Sequence, residues 1–500
     1  MYLGGGTVLF DEQDGIFKMW YRTDSVDVTP RKGRYVDDMA GNLVQKGGYK
    51  SCYAVSRDGI EWEKPSLGLT EFAGSTQNNI LPPAKAFGGW EQLRRPSIIK
   101  DYLDPDPSRR YKMLYMDKFD AGGGDADVKW GLVPAYSADG IRWRMLPEKA
   151  YFPAPPSRPN GVLFGWDPLN EQFVHYHRES TTLPADVDGR TVRSEPACLR
   201  TASDDFESWS GTVTVIRKGL SDPPGWSCPY LDGVLYTPDL YIGFLATSIS
   251  NQVEDAPASL LNDVYKWESG NEMPELVYSR NGVDWTRAAP LWPAHRKGLW
   301  GTWDSEWVMV SKPIVHGDRM MVYYTGSNVP AKAHRPDHPQ QGIISKRSAL
   351  DYNGQAIGLA VMRRDGFVSM EAYEQGGTFT TKPVVCSGDR LIINARAPER
   401  PAGLVDADPM PYGRLTVELL EPSGAAVAGR ARDDCDAFTG DAVDHTVTWR
   451  DNFDVSRLAG QTVRLRFHLR NAEIYAFQFR TALPERDITN LHEPGSRGHV

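Results

Sequence analysis

The 500-residue chain has no run of eighteen consecutive apolar residues, so no membrane-crossing helix is expected. Cysteine is scarce. Cys52, Cys198, Cys228, Cys386 and Cys435 are odd in number and widely scattered, with no close pair. That spacing excludes a zinc-type knuckle and a disulfide framework, and the thiols read as mostly buried. No histidine pair has zincin spacing, no Gly-x-Ser-x-Gly elbow occurs, and no glycine loop is built to cradle phosphate. Metal and cofactor are therefore both expected to be absent. Positive charge is not in excess either. A net charge of −9 argues against nucleic acid or an anionic membrane as partner and suits a neutral substrate. The start, Met1-Tyr2-Leu3-Gly4-Gly5-Gly6, lacks the basic and apolar regions of a signal peptide. This points to the cytoplasm, unless an upstream segment precedes it.

Aromatic residues and turn formers are plentiful. Trp 15, Tyr 22, Phe 17, Gly 47 and Pro 36 together favour an all-β chain with many turns. One turn dominates. Ser56-Arg57-Asp58-Gly59-Ile60-Glu61-Trp62 returns as Ser137-Ala138-Asp139-Gly140-Ile141-Arg142-Trp143 and as Ser279-Arg280-Asn281-Gly282-Val283-Asp284-Trp285. A looser copy is Ser203 to Trp209. A degraded fifth copy, without tryptophan, is Arg363-Arg364-Asp365-Gly366-Phe367. Asp-Gly and Asn-Gly pairs tolerate positive φ and make tight hairpin turns, whose end the Trp can cover. Asp58 and Asp139 are therefore read as structural.

A strand-like run precedes each copy, such as Ile16 to Arg22, Arg110 to Met116, Gln172 to Arg178, Tyr241 to Leu245 and Arg319 to Tyr324. Each alternates aromatic with branched residues. A shorter strand stands ahead of each run. Five units of four strands predict a five-bladed β-propeller over residues 1–370. The turn rhythm then stops. Alternating strands such as Arg414 to Leu420 and Thr462 to Phe467 predict a β-sandwich over 371–480, and 481–500 read as a polar tail.

The chain resembles the superfamily of five-bladed propeller glycosidases that includes invertases, levanases, arabinanases and β-xylosidases (glycoside hydrolase families 32, 43 and 68). Within it, the resemblance is to a bacterial group of family-32-like proteins. The residues that carry it are Lys18-Met19-Trp20-Tyr21, the Ser-Arg-Asp-Gly turn followed by Lys64-Pro65-Ser66-Leu67-Gly68-Leu69, and Gly74 to Ile80. Arg110-Tyr111-Lys112-Met113, Gly358-Leu359-Ala360, Arg364 to Ser369 and Thr381-Lys382-Pro383 add to it. The resemblance implies hydrolysis of a small carbohydrate or oligosaccharide. The Asn-Asp-Pro, Arg-Asp-Pro and Glu-Cys motifs of invertase-like enzymes do not occur, so no acid is carried over from the family.

Candidates therefore come from position. Glycoside cleavage needs two carboxyl groups across one bond. In a propeller, residues just before the inner strands face the axial pocket. This rule selects Asp304, Glu306 and Glu91 as catalytic candidates. Trp90, Arg95, Arg158, Asn160, Tyr230, Trp300 and Trp303 are selected for sugar binding, since rings stack on sugars and Arg or Asn forks bind hydroxyls. Arg178 either reaches the pocket or braces blade three. His334 is a candidate contact to a substrate hydroxyl or a bound ion. Asp101, Asp104 and Asp106 lack EF-hand spacing and read as a polar turn. The expectation is an exo-acting hydrolase of a fructoside, arabinoside or xyloside. A sialidase-like enzyme is the first alternative, since Ser-x-Asp-Gly-x-x-Trp resembles the sialidase Asp-box. A propeller that binds carbohydrate without catalysis is the second.

Overall fold

The computed structural model describes residues 2–24, 36–37, 43–44, 49–82, 94–120, 128–151, 160–181, 195–219, 222, 226–237, 240–249, 271–290, 292–299, 302–305, 307–328, 356–398 and 412–481. Among the described residues the chain is nearly all β, and helix is limited to single 3-10 turns such as Pro107–Arg109. None is long and apolar enough to cross a membrane. The chain divides into two compact units. One holds Met1–Ile314 and Met321–Ala360; the other holds Val315–Met320 and Val361–Ile488.

The larger unit is a five-bladed β-propeller. Blade one is Tyr2–Asp11, Ile16–Asp24 and Tyr49–Ser56. Blade two is Arg94–Lys100, Tyr111–Asp120, Val128–Ser137 and Arg144–Met145. Blade three is Asn160–Asp167, Gln172–Thr181, Glu195–Ser203 and Val213–Ile216. Blade four is Trp226–Tyr236, Tyr241–Ile249, Asn271–Ser279 and Trp285–Arg287. Blade five begins with Trp307–Val310 and Ile314–His316, which share the partner strand Arg319–Ser327, and continues with Ala356–Arg363. From blade one to blade five, the first strand of each blade touches the first strand of its successor. The ring closes where Met321 and Tyr323 of blade five pack with Val8, Phe17 and Met19 of blade one.

Two blades depart from the simple order of four successive strands. In blade one two isolated bridges, Val55 to Glu63 and Cys52 to Ile80, stand where a fourth strand would run. Blade five has four strands, but two of them, Trp307–Val310 and Ile314–His316, pair along the same neighbour, Arg319–Ser327. In the fifth turn, which belongs to the second unit, Arg363 and Arg364 bind Asp441 and Asp444 of the same unit, and Asp365 takes φ 55°.

The other four turns share one bonding scheme, wider than a two-residue hairpin. The serine hydroxyl bonds the Asp or Asn side chain in each: Ser56 to Asp58, Ser137 to Asp139, Ser203 to Asp205 and Ser279 to Asn281. The side-chain oxygen then accepts two backbone N–H groups downstream, as Asp58 does from Ile60 and Glu61. Trp209 and Trp285 close their own turns by donating to Phe206 O and Gly282 O. The turns also dock blades. Trp20 Nε1 donates to Gly140 O, Tyr176 Oη to Gly282 O, and Tyr323 Oη to Gly59 O at 2.6 Å. The last of these bonds spans the ring closure. Gly59 is required there, because its φ is +73° and a Cβ would lie 2.7 Å from Tyr323 Oη.

The second unit is a β-sandwich. One sheet runs Met370–Ala372, Ala472–Arg480, Arg390–Ala397, Gly440–Thr446. The other is built on Thr462–Arg470, paired with Gly377–Thr380, Val384–Val385 and Arg414–Leu420. Alternation along Thr462–Arg470 sends Val463, Leu465, Phe467 and Leu469 inward. They meet Leu391 and Ile393 of the facing sheet around Trp449, whose Nε1 donates to Val417 O at 2.9 Å.

Candidate active site

All five blades run in the same order, so their inner strands begin at one end of the axis. There the inner strands of blades one to four break register: between Tyr2 and Thr7, Arg94 and Ser97, Asn160 and Leu163, and Ser227 and Tyr230. Blade four breaks again between Leu231 and Gly233. Bulges of this kind re-aim side chains and gather near active sites. In blade five the pairing of Trp307–Val310 is regular.

The sequence candidates distribute as follows. Glu91, Trp90, Arg158, Trp300, Glu306 and His334 lie outside the described residues. Arg95, Asn160 and Tyr230 are described in backbone only, and all three fall at the bulged ends. Asn160 pairs with Arg178, which is half-buried. Trp303 and Asp304 are described fully.

Asp304 is 8% exposed. Thr302 Oγ1 donates to its Oδ1 at 3.0 Å and Tyr324 Oη donates to its Oδ2 at 3.1 Å. Its own carbonyl accepts Gly298 N, tying the preceding loop down. Trp303 stacks on Tyr324 and His295 lies against the same ring. Burial pushes the Tyr324 hydroxyl up to about 12, and the Asp304 charge adds to the effect. Burial lowers His295, while Asp304 pulls the other way. Sequence position had singled out Trp303 and Asp304. It missed Thr302, two residues before Asp304, and Tyr324 and His295, which come from separate segments.

Asp304 differs from the other buried acids among the described residues. Asp11 meets Lys18 and Lys100, Asp101 meets Lys112, Asp167 meets Arg200, Glu275 meets Arg287, and Glu418 meets His468. Asp304 is held by two hydroxyls and forms no ion pair with Lys or Arg among the described residues.

Other expectations resolve into structure. Asp101 and Asp104 both accept Lys112 Nζ, at 2.8 and 2.7 Å, and Asp106 accepts Ser108 N. The three acids are a polar turn with its charge taken up. Lys18 and Lys112, part of the motifs behind the family resemblance, are both buried, each neutralising an acid at the end of an inner strand. Cys52, Cys198, Cys386 and Cys435 are buried thiols that form no disulfide among the described residues. In the second unit an open cleft of about 390 Å³ is lined by Asp318, Arg319, Arg363 and Asp441 among others, and contains none of the candidates.

Blade three carries a second buried titratable group. His175 and His177 stack with centroids 4.9 Å apart and planes 6° apart. Neither ring nitrogen of His175 has a hydrogen-bond partner among the described residues. Burial lowers both, His177 to about 4 and His175 well below its ordinary value. The unfolded chain binds these protons near pH ~6.5, the folded chain only at lower pH. Stability is therefore full at pH 7 and falls as pH drops through that window. The expected loss between pH 7 and pH 5 is about 2 kcal/mol per imidazole. Urea unfolding followed across that range checks it, with the His175→Leu/His177→Leu double variant expected to show a flatter curve.

No protein-family model matches the sequence, and a search of curated proteins gives no match. Among solved structures the chain is similar to a thermostable family-43 glycoside hydrolase, with 13% identity and a TM-score of 0.41, covering 72% of this chain and 88% of that one. It is similar to an N-acetylgalactosamine deacetylase from F. plautii, with 15% identity and a TM-score of 0.39, covering 69% and 85%. It is also similar to a β-1,2-mannobiose phosphorylase from Listeria innocua, with 12% identity and a TM-score of 0.38, covering 65% and 86%. Those activities belong to those proteins; the fold of this chain stands on its own five sheets, its interblade bonds and its closed ring.

Proposed function

We propose that the propeller is a glycoside hydrolase working at the bulged end of its axis, exo-acting on a furanoside or related sugar such as a fructoside, arabinoside or xyloside. Asp304, Glu306 and Glu91 supply the carboxyl groups, with Trp303, Arg95 and Arg178 among the sugar contacts. The observation that carries the reading is Asp304: buried beside the start of an inner strand, oriented by hydroxyls, and without a Lys or Arg partner among the described residues. Hydrolysis needs one carboxyl to protonate the leaving oxygen and another to act as base or nucleophile. Buried acids free of internal cations are suited to this, because their charge remains available to a ligand.

A panel of chromogenic furanosides, pyranosides and sialosides, offered to the full chain, tests the reading. Turnover of at least one furanoside or xyloside is expected. Turnover confined to sialosides would favour the sialidase alternative, although five blades do not suit that six-bladed family. Both oxygens of Asp304 already accept a hydroxyl. That observation favours the second reading, a sugar-binding propeller, which predicts saturable binding without turnover.

A further inference from the structure

Tyr324 sits in the middle of three rings. Trp303 stacks on it with centroids 5.4 Å apart and planes 22° apart, and His295 approaches to 4.5 Å at 57°. Glycines make room for the stack. A Cβ at Gly326 would lie 2.5 Å from Asp304 Cβ, and one at Gly358 would lie 2.6 Å from the Tyr324 ring. The ring is thereby fixed in one orientation, with its hydroxyl on Asp304 Oδ2. Phenylalanine would fill the same stack, so packing alone does not call for the hydroxyl. The adjacent Tyr323 makes the contrast, since its hydroxyl serves a backbone carbonyl of blade one.

We propose that Tyr324 is a positioning residue for the axial reaction, its hydroxyl orienting the Asp304 carboxylate and standing in for the cation that the other buried acids have. The inference rests on the glycosidase reading above. A carboxylate offers about four lone-pair sites. Thr302 and Tyr324 occupy one on each oxygen and leave the remainder for a sugar hydroxyl or a water. The described titratable groups facing Asp304 are Tyr324 from blade five and His295 from the loop after blade four.

The test is Tyr324→Phe in the full chain, beside Asp304→Asn and the double variant. A carboxylate that loses a hydroxyl donor is protonated more easily. The acid limb of the kcat/KM profile is therefore expected to move to higher pH, and kcat to fall about tenfold with KM little changed. An unchanged profile and kcat would overturn the proposal and leave Tyr324 as packing. If no glycoside is turned over, the glycosidase reading fails separately, and urea unfolding at pH 7 still decides the pairing. Non-additive effects of Tyr324→Phe and Asp304→Asn support it; additive effects overturn it.

Discussion

Asp11→Ala is expected to destabilise the propeller by about 3–5 kcal/mol, because it takes the carboxylate from the buried Lys100 ammonium and leaves buried Lys18 with Asp14 alone. Asp11 is fully buried, and Lys18 and Lys100 are 6% and 4% exposed. Lys18 Nζ lies 2.6 Å from Oδ2 and Lys100 Nζ 2.6 Å from Oδ1, with Tyr111 Oη donating to Oδ2 at 2.7 Å. Burial would raise this carboxyl, but the bonds from Lys100, Lys18 and Tyr111 reverse the effect and hold it well below the usual carboxylate range. Its contribution is thus full above pH ~4 and is lost as pH falls further. Acid unfolding should proceed in two stages, the histidine pair first and Asp11 below it. The cluster joins blade one to blade two, so urea unfolding of the propeller unit reads the loss. Lys100→Met added to Asp11→Ala should recover part of it, since one stranded charge is removed. A cost under about 1 kcal/mol, the range of surface pairs, would mean the cluster is solvated.

Asp304→Asn and Glu306→Gln should each lower turnover of the best glycoside by about 10²–10⁴-fold, the span of a lost general acid or base. The fold should survive Asp304→Asn. The amide keeps an acceptor, and both Thr302 and Tyr324 carry hydroxyls able to accept as well as donate. Kinetics with parallel unfolding curves separate the outcomes. Unchanged turnover in both variants would remove the site assignment. Lost turnover together with lost stability would make Asp304 a structural acid.

The ring was legible in the sequence because its unit is local. Ser56, Asp58, Gly59 and Trp62 build a turn within seven residues, and the strands beside it alternate visibly. The docking bonds were not legible. Trp20 finds Gly140 and Tyr323 finds Gly59 only after the blades assemble, and nothing near either residue marks its partner. The same holds for Asp11, whose two lysines come from different blades. Position along the chain pointed to Asp304 but not to Tyr324, which reaches it from a neighbouring strand. The short blade one was missed for a different reason. A repeat count assumes equal units, whereas blade one continues past its third strand only through bridges at Glu63 and Ile80.

Formation of new reducing ends from oligosaccharides, measured for the full chain beside the Asp304→Asn/Glu306→Gln double variant, bears most directly on axial glycoside hydrolysis. Reducing ends made by the natural chain and absent with the double variant are predicted. Equal formation by both, or saturable sugar binding with no reducing ends from either, would contradict it.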